Sequence, residues 1–346
     1  MPMLGERITP EPALSMQLTS KTSCSLYLVC LILALGACAE RGLPPSQGPA
    51  AIQPAGIGEG QIIETATGQL VSIDRLMDRL RQQEVLYIGE EHHNRFHIDA
   101  ALSLLRRFSS ENRRPALAME MFGWDGQAVL DRYVGGGDLD RQAFLEQVNW
   151  RQNWGGPFED YEPLISYAKA RHLPLAALNP PKSLVRLVAK NGLAQARRDS
   201  DWTKWGLQEE TIVDDPPYRE RILQQLRACH DGGPDALYQT MYEASMVRDE
   251  GMAKTIVSLV EKTRDENDRL AGPVVSYTGG GHIQYNLPIP KRVARRLSDH
   301  VRQISIYLTS YEKGRLDDLQ EMIGGKIADY VWLTPVGAEG PPRRCR

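Results

Sequence analysis

The chain has 346 residues, 25% of them charged and 42% hydrophobic, with 41 Lys and Arg against 44 Asp and Glu. A net charge of −3 without any basic block argues against a nucleic-acid partner. Of the five cysteines only Cys229 and Cys345 lie beyond the first forty residues, too few for a Cys-rich zinc site or a disulfide framework.

The first residues read as an address. Arg7 and Lys21 supply positive charge, and Leu26 to Ala37 is an apolar run too short to span a bilayer. It ends in Leu35-Gly36-Ala37-Cys38, which resembles the bacterial lipobox, where the cysteine is lipidated and becomes the first residue. Residues 1–37 are therefore expected to be a lipoprotein signal peptide, with Cys38 the lipid anchor. Ala39 stands where an aspartate would suggest inner-membrane retention, which favours the outer membrane, facing the periplasm. Cys24 and Cys30 leave with the signal, so Cys229 is expected to be a free thiol in the folded part, with Cys345 at the tail. Residues 38–60, rich in Pro, Gly, Ala and Gln, read as a flexible tether.

The folded part is expected to open with a hairpin, 61–65 and 69–71, followed by a helix capped by Ser72. Val85-Leu86-Tyr87-Ile88 is a buried strand, and a helix carrying Ile98, Leu102 and Leu105 follows it. A strand at 116–119, helices near 126–133 and 139–148, a helix at 162–171 and a strand at 173–178 continue the alternation. Residues 183–269 hold no convincing strand but recurrent helical spacing at 184–198, 217–230 and 235–264, a helical insert. Strands resume at 273–278, 304–308 and 330–333, and a Pro/Gly/Arg-rich tail, 336–346, is expected to be disordered. Such alternation predicts an α/β fold: a mostly parallel sheet flanked by helices, made of 61–182 and 270–335, with an inserted helical subdomain.

Two copies of one pattern carry the functional signal. Gly89-Glu90-Glu91-His92 and Gly279-Gly280-Gly281-His282 each follow an apolar strand, and a third strand ends in Glu120. Loops after parallel strands gather on one rim, where ligands bind, so Glu90, His92, Glu120 and His282 are aimed at a shared site. Imidazoles beside carboxylates bind a metal, perform acid–base catalysis or hold a cofactor, and the residues alone leave these three open. The glycines allow unusual backbone angles and close approach of a ligand. No Lys-Ser/Thr follows Gly281, which excludes a P-loop. Glu91 is expected to point away. His93 and His97 lie four apart, as metal-binding pairs on a helix do. By spacing, Arg248-Asp249-Glu250 is a solvated face with internal ion pairs. Trp124, Trp150, Trp154, Tyr161 and Tyr242 are either core or the wall of an apolar pocket.

Together with Ala118-Met119-Glu120-Met121-Phe122, Trp124-Asp125-x-Gln127, Tyr161-x-Pro163, Leu178-Asn179, Tyr242-Glu243-Ala244 and Arg248-Asp249-x-x-Met252-Ala253, these motifs resemble the ChaN family. Its members are haem-binding lipoproteins of the Tiki/TraB/erythromycin-esterase superfamily, and the likeness runs from about residue 61 to 295. It implies a periplasm-facing lipoprotein of haem or iron uptake that holds haem, as a homodimer in one version. By the same correspondence Glu90, His92, Glu120 and His282 are the superfamily's site residues, either catalytic or ligands of a divalent metal ion in a metal-dependent hydrolase. His97, Trp124, Tyr161, Tyr242 and Arg248 are the expected haem-contacting residues. The family is associated with iron ligation by tyrosine, and Tyr133, Tyr161, Tyr242 and Tyr285 lie near motif blocks. The chain departs from the pattern at His93, usually aspartate, and at Ser245, usually a larger polar residue.

Overall fold

A computed structural model describes residues 56–230, 232–264, 270–297 and 301–341. The expected signal peptide, Cys38 and most of the expected tether lie outside these described residues. Eight strands make one sheet: β1 Ile62–Glu64, β2 Gln69–Val71, β3 Val85–Glu90, β4 Ala116–Gly123, β5 Leu175–Asn179, β6 Val274–Gly279, β7 Gln303–Ser310 and β8 Tyr330–Thr334. Their order is β2-β1-β8-β7-β3-β6-β4-β5. From β8 to β5 all pairs are parallel, and β1 with β2 forms an antiparallel hairpin at one edge. The expected mostly parallel α/β sheet is the observed one.

Because successive side chains alternate across a strand, β3 sends Leu86 and Ile88 to one face and Val85 and Tyr87 to the other. The first face is covered by the helices Ile73–Leu80, Arg95–Ser110 and Phe158–Arg171. Met252, Ala253, Ile256 and Val260 of the long helix Asp235–Thr263 cover the second, with Ile289 and Val293. Both faces are buried, which is why β3 and β6 read as continuous apolar runs rather than alternating ones.

Several helices differ from expectation. The helix expected from 162 starts at Phe158, despite Pro163 inside it, because Phe158 and Tyr161 bury their rings in the core. The periodic stretch 184–198 breaks at Gly192, whose φ of 79° ends the helix Lys182–Asn191. Leu316–Gly324, a helix that the sequence reading leaves out, buries Leu319 and Ile323 against Val331 of β8. Gly337, Glu339, Gly340 and Pro341 line a cleft, while residues 342–346 of the expected tail lie outside the described residues. Cys229 is disulfide-bonded, so the free thiol expected there is corrected.

The segment from Lys182 to Thr263 is helical, as expected of the insert, but its long helix is shared with the sheet. Tyr242, Met246 and Val247 pack within the insert, while the residues from Met252 onward pack on the strands. Glu250, at the crossover, is fully buried and paired with Arg292, Arg295 and Arg296 at 3.3, 2.7 and 2.7 Å. Removing one partner from such a buried cluster typically costs about 3–5 kcal/mol, because the rest stay buried without compensation. This strut fixes the insert's long helix to the helix Ile289–Leu297 that follows the second glycine motif.

Candidate functional site

β3, β6 and β4 are neighbours in the middle of the sheet, so their C-terminal ends form one rim. Glu90 pairs in register with Gly279, and Met119 with Tyr277. Between the pairs Met119–Ala177 and Gly123–Asn179, three residues of β4 oppose one of β5. Such a bulge re-aims a side chain at a strand end, and here Glu120 sits within it.

The Glu120 carboxylate is buried. Its Oε2 accepts from the Gly279 N–H at 2.6 Å, its Oε1 accepts from Arg248, and His282 Nε2 lies 3.4 Å from Oε1. Burial alone would raise its pKa, but His282 and Arg248 together hold it well below the usual carboxylate range. Gly279 has no room for a side chain: a Cβ would stand 2.8 Å from the His92 ring and 3.5 Å from Glu120. Close approach, not an unusual backbone angle, is what demands glycine there, since φ is −56°.

Each histidine of the motif is oriented by a carboxylate. His282 Nδ1 lies 2.5 Å from Asp249 Oδ1, and the other oxygen of Asp249 accepts from the Tyr218 hydroxyl at 2.5 Å. Burial disfavours the imidazolium, but Glu120 and Asp249 outweigh it and raise the His282 pKa to about 9. His92 Nδ1 bonds the buried Glu90, and its ring meets the Trp154 ring edge-on at 4.8 Å. Burial lowers the His92 pKa and the Glu90 bond raises it, the bond prevailing. Burial likewise pushes Glu90 up, against the pull of His92. The His92 side chain remains 45% exposed, facing an open cleft of about 860 Å³ that Tyr307, Arg248, His282 and Glu339 also line.

All four expected site residues, Glu90, His92, Glu120 and His282, thus converge. They do so as hydrogen-bonded pairs. Among the described residues no three His, Cys, Asp or Glu side chains stand together as a metal would need. The expected divalent-metal set is not assembled in this arrangement, because Arg248 and the Gly279 amide already occupy the Glu120 oxygens.

Of the expected haem-contacting residues, Arg248 reaches the cleft and the other four do not. His97 is buried with its Nδ1 accepting from the Glu91 N–H at 2.9 Å, and burial lowers its pKa to about 3. Tyr161 is buried and accepts from the His93 N–H at 3.1 Å, while the buried Tyr242 donates to Asp214 at 2.6 Å. Burial raises both phenol pKa values. Trp124 packs on Gly251 of the long helix and donates to Thr255 at 2.9 Å. His93 and His97 do not share a helical face. The chain turns through a left-handed conformation at His93, whose ring bonds Asp160 at 2.7 Å, and the helix begins only at Arg95. Glu91, expected to point away, borders the cleft as well, and its carboxylate accepts from Thr309 at 2.8 Å, tying the motif loop to β7.

Arg248, Asp249 and Glu250 overturn the reading of a solvated face. Arg248 bonds Glu120 and Asn179, Asp249 bonds His282 and Tyr218, and Glu250 forms the strut. Asp249, Asn179 and Tyr307 are site residues that spacing alone missed. Asp249 and Asn179 stand inside motif blocks, a signal that was present, whereas Tyr307 on β7 carries none.

A family model described as haem-binding uptake, Tiki superfamily, ChaN matches residues 76–293. The chain belongs to this family. A solved structure of the family, described as cofacial heme binding to ChaN of Campylobacter jejuni, superposes with a TM-score of 0.59 at 17% identity, covering 78% of this chain and 95% of its own. An erythromycin esterase, EreC, in its open conformation superposes with a TM-score of 0.42 at 14% identity, covering 73% of this chain and 76% of its own. The chloroplastic protein RETICULATA-RELATED 5 of Arabidopsis thaliana is 24% identical over 286 residues, which are 75% of this chain and 35% of that protein. The chain thus spans about a third of that relative's length.

Two buried histidines set opposite limits on stability. His282, raised from 6.5 to about 9, contributes fully below about pH 6.5, and its contribution is lost as pH rises through 9. His97, lowered to about 3, costs stability as pH falls below 6.5, because only the unfolded chain then takes the proton. Unfolding free energy should therefore fall by on the order of 3 kcal/mol between pH 6.5 and 9, and Asp249→Asn should flatten that slope. Denaturant titrations at three pH values check this, and a wild-type curve flat across the interval would contradict the assignment.

Proposed function

We propose that this chain is a lipid-anchored haem carrier of the outer membrane, facing the periplasm and serving haem or iron uptake. Family membership supports haem as the cargo, and the lipobox-like run ending at Cys38 supports the anchor. The observation that carries the seat of the haem is the cleft over the β3, β6 and β4 ends. Its volume of about 860 Å³ lies in the range of ligand pockets, roughly 300–1,000 Å³. Its wall includes the half-exposed imidazole of His92 and the phenol of Tyr307, both ligand types that hold haem iron. Trp154 adds a flat aromatic surface and Arg248 a cation for an acidic side arm.

The residues present therefore fit haem, though not through the tyrosines first considered. Forming a phenolate at Tyr161 or Tyr242 would bury a charge beside carboxylates, which is costly. The cleft is open on one side and would cover only one face of a porphyrin. In the Campylobacter protein haem binds cofacially, and a homodimer that closes two such clefts on each other would cover the other face here.

A second reading rests on a separate observation, the two carboxylate-oriented histidines. His92, held through Nδ1 by Glu90, has Nε2 left for a general base, while a protonated His282 is suited to stabilise developing negative charge. With water as nucleophile this is the arrangement of an ester or amide hydrolase working by acid–base chemistry. It could coexist with haem binding.

Titrating the purified chain with hemin should give a saturable Soret band, with His92→Ala or Tyr307→Phe weakening affinity about tenfold or displacing the band. If both variants bind as the wild type does, the cleft is not the seat. Cys38→Ser should move the protein from the outer-membrane fraction to the soluble periplasm, and retention at the membrane would sink the anchor. Hydrolysis of a nitrophenyl ester, if present, should resist EDTA and fall about a hundredfold in His282→Ala; unchanged turnover in that variant would remove the second reading.

A further inference from the structure

Adjoining the cleft and sharing Glu120, Arg248 and Trp154 with it lies a second pocket of about 270 Å³. Its chemistry differs from that of the rim. Met121, Pro180 and Val185 give it apolar walls, and Lys182, Arg186 and Arg248 bring three cations to it. Arg248 is already engaged by Glu120 and Asn179. Lys182 is steadied by the backbone carbonyls of Gln152 and Asn153, at 2.9 and 3.3 Å, and an ammonium has a third hydrogen to give. Neither Lys182 nor Arg186 pairs with a carboxylate among the described residues.

The Trp154 indole borders both the cleft and this pocket, so it reports on the occupancy of either. Two cations lining a small apolar-walled space suit a planar, two-oxygen anion on a short hydrocarbon stem.

We propose that this pocket is a carboxylate subsite, in which Lys182 and Arg186 recognise the acidic arm of a ligand whose body occupies the cleft. This rests on the haem reading for the identity of the ligand, since haem carries two carboxylates on short alkyl stems. The accumulation of positive charge also supports it: burial and the neighbouring Arg186 and Arg248 lower the Lys182 pKa, a strain that a bound anion relieves.

The test compares hemin with hemin dimethyl ester, whose carboxylates are masked, on the full chain and on the double variant Lys182→Gln/Arg186→Gln. Both side chains are at the surface or half-buried, so the variant is expected to fold, and an unchanged Soret position would show it. The double substitution should weaken hemin about tenfold or more while leaving the ester's affinity unchanged, the loss expected for charge-assisted bonds. Equal loss for both ligands, or no loss for hemin, overturns the subsite. If hemin gives no saturable band even with the wild type, the haem reading has failed and the subsite is judged separately. Butanoate is then titrated while following the Trp154 indole resonance, identified by its loss in Trp154→Phe. A saturable shift that vanishes in the double variant supports a carboxylate subsite. No shift, or a shift with inorganic phosphate but none with butanoate, overturns it.

Discussion

A buried carboxylate at a strand end has to be compensated, and much of this molecule can be understood as the compensation of Glu120. An isolated carboxylate taken out of water would lose several kcal/mol of hydration. Glu120 recovers it from three elements at once: a backbone amide of β6, a guanidinium of the long helix and an imidazole from the loop after β6. Each bond constrains its donor. The β6 amide can come close only because Gly279 has no Cβ, and the guanidinium can reach only if the long helix crosses the strand ends at that height. Gly251 serves this crossing, since a Cβ there would collide with Pro180 and crowd Trp124. A mid-helix glycine costs about 1 kcal/mol relative to alanine, a small loss beside that of leaving Glu120 without its cation.

The long helix works as a distributor. Residues one apart on a helix project about 100° from each other, so Arg248, Asp249 and Glu250 reach three different partners from adjacent positions. Arg248 goes to the end of β4, Asp249 to His282 and Tyr218, and Glu250 to the arginines of the helix that follows the second motif. The insert is thereby tied to the rim through polar contacts that only the correct docking of the helix satisfies. Half-satisfied buried networks are costly, so these contacts select one register of helix against sheet.

The strands were readable in the sequence because both faces of the parallel sheet are buried, leaving unbroken apolar runs such as Val85 to Ile88. The rim followed from topology: short apolar strands ending in Gly-x-x-His or Glu have nowhere else to deliver those side chains. What spacing could not supply was the direction of the helical charges. Arg-Asp-Glu on a helix looks the same whether water or a buried imidazole faces it, and the difference lies in partners nearly seventy to well over a hundred residues away for Arg248. The aromatics failed for the opposite reason. Tyr161 and Tyr242 sit beside motif residues in sequence, but a tyrosine can be buried whole when its hydroxyl finds one partner, and His93 N–H and Asp214 provide these. Tyr307, which does reach the cleft, stands mid-strand in a run with no motif to mark it.

The balance of charge at the rim bears on what can bind there. Glu120 is engaged by Arg248, His282 and an amide, whereas Glu90 engages His92 through one oxygen only. A divalent cation entering this site would have to displace Arg248 from Glu120, leaving a guanidinium partly buried without its anion. An anionic or neutral ligand needs no such displacement. Arg248 already borders both the cleft and the smaller pocket, and Lys182 and Arg186 extend the positive side of the site away from the carboxylates. The rim is therefore organised with its carboxylates inside and its positive charge toward the pocket. That polarity suits a flat ligand with acidic arms better than a bare metal ion, and it arises from the same Glu120 contacts that hold the long helix on the sheet.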